Sequence, residues 1–376
     1  MPEILTEHYN YLSDRVRLER YQAAVEKIVR PEHSVLDLGC GAGVLGLMAL
    51  RAGARKAIFV DHTPVIEIAR QVIAEAGFAN NADFFQTNSF ELDLQERVDI
   101  VICDHVGCFG IDYGILGVLA DAYERFLKPG GRLVPSGLNL KLAPVESKSW
   151  QDYVGRWCNP NVSGDFHWVQ KLAANSKHLV DFKRGDLLAD AATLASLEPG
   201  MDSNTFHSWS AEFTAARNGT LHGLGGWFDC ELANGVRMTN SPLSEQHVDR
   251  PQALLPLEAP VPVEKGERIN ATVMVRHLDH IIAWTVEMPD SGRRISHSTF
   301  NSLLLDREAI TRTQPNRPAT LNDRGRARQT IASYCDGSRS VAEVEALVRT
   351  EHPDLLPSER AIETMVRKVL AMDTGD

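Results

Sequence analysis

Over the first third of the chain, short apolar runs alternate with longer amphipathic stretches. Ser34–Leu38, Lys56–Val60, Asp83–Gln86 and Val98–Cys103 are runs of strand length. Between and after them, Val44–Ala52, Val65–Ala76 and Ile115–Phe126 space their apolar residues three and four apart, the period of a helix with one buried face. A helix is also expected over residues 13–30, where Ser13 can cap and Val16, Leu18, Tyr21, Ala24, Val25 and Ile28 form a stripe. Leu127-Lys-Pro-Gly-Gly131 reads as a turn and Arg132–Pro135 as the start of another strand. Strands and helices alternating in this way predict an α/β fold, a doubly wound, Rossmann-like parallel sheet with helices on both faces.

Beyond about residue 137 the texture changes. Aromatic residues (Trp150, Tyr153, Trp157, Phe166, Trp168) gather in a stretch, 150–181, that reads as a helical arm. Ser208–Phe213, Gly225–Glu231, Ile269–Arg276, Ile281–Glu287 and Ser298–Leu304 then follow as short strands, the pattern of a β-barrel unit. Residues 306–320 carry prolines and polar residues and read as a linker. Three helical patterns, Arg324–Tyr334, Val341–Glu351 and Ser358–Leu370, make a small winged-helix-like module at the end. The expected domains are therefore 1–136, 137–305 and 321–376.

At 376 residues the chain can bury two or three cores. A formal charge of -11, and Lys and Arg matched by Asp and Glu beyond Arg307, argue against a nucleic-acid partner. The six cysteines include no C-x-x-C pair and read as reduced thiols of a cytoplasmic protein. The N-terminal residues lack an apolar signal core, and no stretch is long and apolar enough to enter a membrane. His277 and His280 have no third partner at ligand spacing, so no metal site is expected.

The richest chemistry lies in Val35-Leu-Asp-Leu-Gly-Cys-Gly-Ala-Gly-Val-Leu-Gly46, where the first strand meets its helix. Glycines there let the backbone approach a nucleotide-like ligand. Gly41–Gly46 fits G-x-G-x-x-G, with an acid, Asp61, at the end of the next strand, as a dinucleotide site requires. Three features favour S-adenosylmethionine instead. Asp37 would repel a pyrophosphate but can hold a methionine ammonium through water. The glycines start directly after the strand, as Gly39, Gly41 and Gly43. A Leu-Lys-Pro-Gly-Gly turn follows Val98–Asp104. Asp61 is placed to accept hydrogen bonds from both ribose hydroxyls.

Beyond these features the chain resembles the protein arginine methyltransferases, in a bacterial form, over roughly residues 8–305. Asp14-Arg-Val-Arg17 followed by Tyr21 is similar to the family's N-terminal helix; the resemblance assigns Arg17 to the cofactor carboxylate. It also assigns Asn88 and Ser89 to the adenine. Gly226-Trp-Phe-Asp229, Ser241-Pro-Leu243 and Gln252 resemble barrel landmarks, and residues 164–182 the arm through which family members dimerise, so a homodimer is implied. The family clamps a guanidinium between two glutamates. Asp104 stands in the first place here, and Tyr113 in the second with Asp112 beside it. The family's Thr-His-Trp loop reads Val248-Asp249-Arg250, after His247, so His247 and Asp249 are the substrate candidates and Asp104, Tyr113 and Asp112 the catalytic ones.

Asp104 is the best residue for orienting a cationic or hydrogen-bond-donating acceptor: arginine, histidine or a backbone or side-chain amide, with a carboxylate the least favoured because Asp104 would repel it. His105 could serve as a base, although a loop histidine is more often incidental. Leu321–Gly325 and Asp336–Leu347 resemble the PqqD-like module, which binds the leader peptides of ribosomally made peptides. A structural cap or a DNA-binding helix unit are the competing readings. The expected activity is methyl transfer to a side-chain nitrogen of a peptide or protein. The alternatives are an interaction protein that binds the cofactor without turnover, and a small-molecule N-methyltransferase.

Overall fold

A computed structural model describes residues 2–201, 204–277 and 279–373. Residues 374–376, the end of the expected last module, lie outside the described residues. The chain divides into two compact units, 1–303 and 304–376.

The first unit opens with α1 (Pro2–Ser13) and α2 (Arg15–Ile28). One helix starting at Ser13 was expected. The cap is instead Asp14, whose carboxylate accepts the Arg17 amide at 3.0 Å, and a separate helix precedes it. That helix exposes Leu5, Tyr9 and Leu12, so its apolar residues do not define a single buried face. Then come β1 (Ser34–Leu38), α3 (Val44–Arg51), β2 (Lys56–Val60), α4 (Ile66–Glu75), β3 (Ala82–Phe85), β4 (Val98–Cys103), α5 (Ile115–Arg125) and β5 (Leu127–Val134).

These five strands pair in parallel in the order β3-β2-β1-β4-β5, the doubly wound sheet that the alternating pattern predicts. From β1 the chain winds to one side through β2 and β3, then crosses to the other side at β4. A crevice opens at that reversal, beyond the carboxyl ends of β1 and β4. β1 is buried along its whole length and shares one core with Tyr21 and Val25 of α2 and Leu119 and Ala122 of α5. Leu127–Gly131 is strand rather than turn. Its pairing with β4 slips between Val98↔Leu127 and Ile100↔Arg132, leaving Pro129-Gly130-Gly131 as a bulge with Gly130 at φ +78°.

The chain continues with β6 (Gly137–Val145), α6 (Ser149–Tyr153), α7 (Val169–Ala174), β7 (His178–Val180), β8 (Ala192–Leu197), β9 (Phe206–Thr214), β10 (Gly219–Ala233), β11 (Val236–Thr239), β12 (Gln252–Val263), β13 (Arg268–Arg276), β14 (Ile281–Met288) and β15 (Arg293–Ser298). They form two antiparallel sheets, β7-β12-β10-β6-β8 with β11 on β10, and β15-β14-β13-β9. Trp227, Phe228 and Trp284 are fully enclosed, and the Trp284 indole donates to the Pro256 carbonyl at 2.9 Å. The strand expected at Ser298–Leu304 lies earlier, because Arg293 and Arg294 hide its start; Thr299–Ser302 is a single 3-10 turn. The arm consists of two short helices and single turns, with Phe166 and Trp168 exposed.

The second unit holds α8 (Arg307–Arg312), inside the expected linker, and α9 (Asp323–Ser333), α10 (Val341–Glu351) and α11 (Glu359–Asp373). Ile331, Val344, Val348, Ile362, Val366 and Val369 make its core. Asn322 caps α9, and a Ser340–Glu343 capping box starts α10. Among the described residues this unit contains no strand.

Candidate cofactor and acceptor site

Because the sheet is parallel, the segments after β1, β2, β3 and β4 emerge on one edge. They carry Gly39–Gly43, Asp61, Asn88–Ser89 and Asp104 respectively. Gly39, Gly41 and Gly43 all have positive φ, at +68°, +52° and +79°. A Cβ on Gly39 would sit 2.2 Å from His105 Nε2, so a side chain there is excluded by space as well as by backbone angle. The Gly39 and Cys40 amides donate to the Val60 carbonyl at 2.8 and 3.0 Å, which ties the loop to the end of β2.

Asp37 is buried and accepts the Gly46 amide at 2.8 Å. Burial pushes its carboxyl up to about 7, against the pull of the Gly46 amide and Arg17. Asp61 accepts the Gly41 amide at 2.9 Å with one oxygen, and the Thr63 amide and hydroxyl at 2.8 and 2.7 Å with the other. Its carboxylate thus lies against the glycine loop. Asn88 is exposed in the turn after β3, where its Oδ1 accepts the Phe90 amide at 3.0 Å. The Ser89 carbonyl accepts from Arg125 at 2.7 Å.

Asp104 follows the last residue of β4 and is the electrostatic centre of this edge. Its Oδ2 accepts Arg17 Nε at 2.5 Å and Arg250 Nη2 at 2.6 Å, and its Oδ1 accepts the Tyr21 hydroxyl at 2.8 Å. Burial opposes its charge, but Arg250 and Arg17 hold its carboxyl down to about 2. The Tyr11 ring of α1 lies 5.6 Å from the Arg17 guanidinium and 5.7 Å from that of Arg250. Burial keeps the adjacent His105 below the ordinary histidine value, which favours a neutral imidazole.

The loop from Asp104 to Gly114 folds over its own acid. Asp112 Oδ2 accepts the Cys108 and Phe109 amides at 2.8 and 2.6 Å, and its carboxylate pairs with Lys177. The structure therefore places Asp112 as a brace inside the loop. Tyr113 is 64% exposed, with φ +56°, and its ring lies edge-on to that of His105 with centroids 6.4 Å apart. His247 and Asp249 are also exposed, while the alternate residues Val248 and Arg250 are buried. The Asp249 backbone amide donates to Asp14 Oδ2 at 2.9 Å. Of the residues singled out from the sequence, the structure brings Arg17, Asp37, the three glycines, Asp61, Asn88, Ser89 and Asp104 to one edge. Arg250, Tyr11 and Lys177 were not among them. The signal for Arg250 was its counted place at the end of the family's Thr-His-Trp loop, where its neighbours His247 and Asp249 were chosen instead.

Residues 22–153 match the ribosomal protein L11 methyltransferase family, and residues 139–289 the arginine methyltransferase oligomerization subdomain. An arginine N(omega)-methyltransferase of Streptomyces achromogenes subsp. streptozoticus is 29% identical, over 70% of this chain and 74% of that one. Protein arginine N-methyltransferase 1 of Dictyostelium discoideum is 25% identical, over 71% of this chain and 80% of that one. The chain is an S-adenosylmethionine-dependent methyltransferase, similar to the arginine methyltransferases. Two solved structures share its fold. The Trypanosoma brucei PRMT1 enzyme-prozyme complex with AdoHcy has a TM-score of 0.69 at 24% identity, covering 77% of this chain and 96% of that one. Arabidopsis thaliana protein arginine methyltransferase 10 has a TM-score of 0.66 at 20% identity, covering 78% and 98%.

The residues of this methyltransferase fit its cofactor. The glycine cradle leaves no room for side chains, and Asp37 on β1 and Asp61 just after the adjacent β2 flank it. The raised Asp37 carboxyl has a measurable consequence in the free protein. An unfolded Asp titrates near ~3.9. The folded state holds the proton more tightly, so this stabilisation is complete below about pH 4 and is lost as pH rises through about 7. Asp37→Asn should therefore flatten the fall in unfolding free energy across that window in urea melts. An unchanged pH dependence would contradict the assignment.

Proposed function

We propose that this methyltransferase transfers the S-adenosylmethionine methyl group to a side-chain nitrogen of a peptide or protein, arginine being the acceptor named in its relatives. The reading rests on the edge where the glycine loop, Asp37 and Asp61 adjoin Asp104 across β1 and β4. Arg17, Asp37, Gly39, Gly41, Gly43, Asp61, Asn88 and Ser89 hold the cofactor. Asp104 orients the acceptor, and Asp112 braces the loop that covers it. Tyr113, His247 and Asp249, all exposed, line the approach.

The sulfonium carbon is already a strong electrophile. The protein's work is alignment of the acceptor lone pair with the sulfur–carbon bond and exclusion of water. Asp104 suits this role because two buried arginines keep it ionised.

Two further proposals complete the reading. The arm, with Phe166 and Trp168 exposed, supports a homodimer. The second unit recruits the peptide, in the manner of a PqqD-like module. A hollow of about 320 Å³ between α9 and α11, ringed by Arg324, Arg328 and Lys368 over Met365, Val369 and Met372, suits an acidic amphipathic segment. Six free cysteines, and no helix long and apolar enough to cross a membrane among the described residues, are consistent with work in the cytoplasm.

Asp61→Ala should weaken S-adenosylmethionine binding by about 1.5–3 kcal/mol in calorimetry. Unchanged affinity would remove Asp61 from the cofactor site. Labelled cofactor added to extract should mark a peptide or protein. Cofactor binding with no labelled product would indicate an interaction protein, and label in a small molecule would overturn the peptide reading.

The chain cut after residue 315 should remain dimeric by light scattering and should methylate a short peptide as before. Its rate on the full partner should fall by about 10²-fold, through apparent KM. A monomeric product, or equal rates on both substrates, would refute the arm or the recruitment respectively.

A further inference from the structure

Asp104 is the counter-ion to which an acceptor would be drawn, and two internal guanidiniums already occupy it. Arg17 and Arg250 share its Oδ2, and Tyr21 takes Oδ1. Arg250 is 9% exposed, and its backbone is fixed on both sides. Its amide donates to the Val248 carbonyl at 2.8 Å, and its carbonyl accepts from Gln252 Nε2 at 3.3 Å. It is a fixed part of the site and not a side chain in passing.

The neighbouring acids do not offset the second arginine. Asp14 divides its two oxygens between the backbone amides of Arg17 and Asp249. Asp37 and Asp61 are turned onto the glycine loop, and Asp112 pairs with Lys177. Glu7 is exposed and makes one long contact, 3.4 Å, with the Tyr11 hydroxyl. Among the described residues, Asp104 is the one carboxylate paired with either guanidinium. The cluster is cationic before any acceptor arrives, and the cofactor does not reverse this: its carboxylate, which the reading above gives to Arg17, is outweighed by its own ammonium and sulfonium.

Resting on the methyl-transfer reading above, we propose that Arg250 sets the acceptor class. The site takes a side-chain nitrogen that is uncharged when it attacks, an imidazole above all, and disfavours a guanidinium. A guanidinium keeps its proton at neutral pH and would be the third cation on one carboxylate. An imidazole, with an ordinary pKa near ~6.5, is mostly neutral at pH 7.5. One ring N–H can donate to Asp104 Oδ1, which holds a single donor, leaving the other nitrogen's lone pair free. That lone pair forms the nitrogen–carbon bond as the carbon–sulfur bond breaks, and the bonding pair stays on sulfur. The imidazolium product, paired with Asp104, loses its N–H proton to water on release.

The test uses the full chain loaded with S-adenosylhomocysteine, with 4-methylimidazole and N-methylguanidinium as probes read by saturation-transfer NMR at about pH 8.5, where the first is mostly neutral and the second still charged. The wild-type protein should bind 4-methylimidazole at least about tenfold more tightly. Arg250→Gln should narrow that ratio by about tenfold or invert it, and Arg250→Lys, which keeps the charge, should preserve it. In parallel, two short peptides differing only in His or Arg are incubated with labelled cofactor, and the histidine peptide should be the one labelled. Tighter guanidinium binding by the wild type, an unchanged ratio in Arg250→Gln, or labelling of the arginine peptide alone overturns the proposal while methyl transfer stands. Binding of neither probe by protein that does bind S-adenosylhomocysteine also overturns it. If S-adenosylhomocysteine itself does not bind, the failure lies with the methyl-transfer reading.

Discussion

Asp104 is a buried anion held between two buried cations. Its side chain is 10% exposed, those of Arg17 and Arg250 are 6% and 9% exposed, and none of the three would tolerate that burial alone. The cost of desolvation is met by charge-assisted hydrogen bonds of 2.5 and 2.6 Å, with the Tyr21 hydroxyl on the remaining oxygen. The partners come from distant parts of the chain. Arg17 and Tyr21 belong to α2, Asp104 to the end of β4, and Arg250 to the segment before β12. One electrostatic cluster therefore ties the parallel sheet, the N-terminal helix and the barrel together at the edge of the proposed site.

The proposed cofactor side follows from a different constraint. The parallel sheet sends the glycine loop and Asp61 to the same edge as Asp104, and close packing keeps the loop free of side chains. His105 lies against Gly39, and His8 of α1 against Gly41, where an added Cβ would come within 2.2 and 2.6 Å of their rings. α1 thus contributes twice, covering the glycine loop with His8 and both guanidiniums with Tyr11. Methyl transfer needs this enclosure more than it needs a strong acid or base, because alignment and water exclusion supply most of the rate.

The sheet was legible because period and punctuation agree. Ser34–Leu38, Lys56–Val60 and Val98–Cys103 are strands with the expected limits. Elsewhere competing signals masked the elements. β10 runs for 15 residues, but Gly219, Gly223, Gly225 and Gly226 interrupt its alternation, and only Gly225–Glu231 read as strand. The bulge at Pro129–Gly131 looked like a turn because proline and glycine mark both. In the site, Asp104 could be found from its place after β4. Its partnership with Arg250 could not, since 146 residues separate them and no local pattern records a contact at that distance. The same holds for Lys177 and Asp112, which join the arm region to the acceptor loop.

The claim that Asp104 and Arg250 form one energetic unit is most directly tested by a double-mutant cycle on unfolding free energy, with Asp104→Asn, Arg250→Gln and the pair. Asp104→Asn alone should cost about 3–5 kcal/mol, because it strands two buried guanidiniums. The pair should fall short of the summed single losses by at least about 1.5 kcal/mol. Losses that add to within about 0.5 kcal/mol would show that the two side chains act independently, and the site would not depend on their pairing.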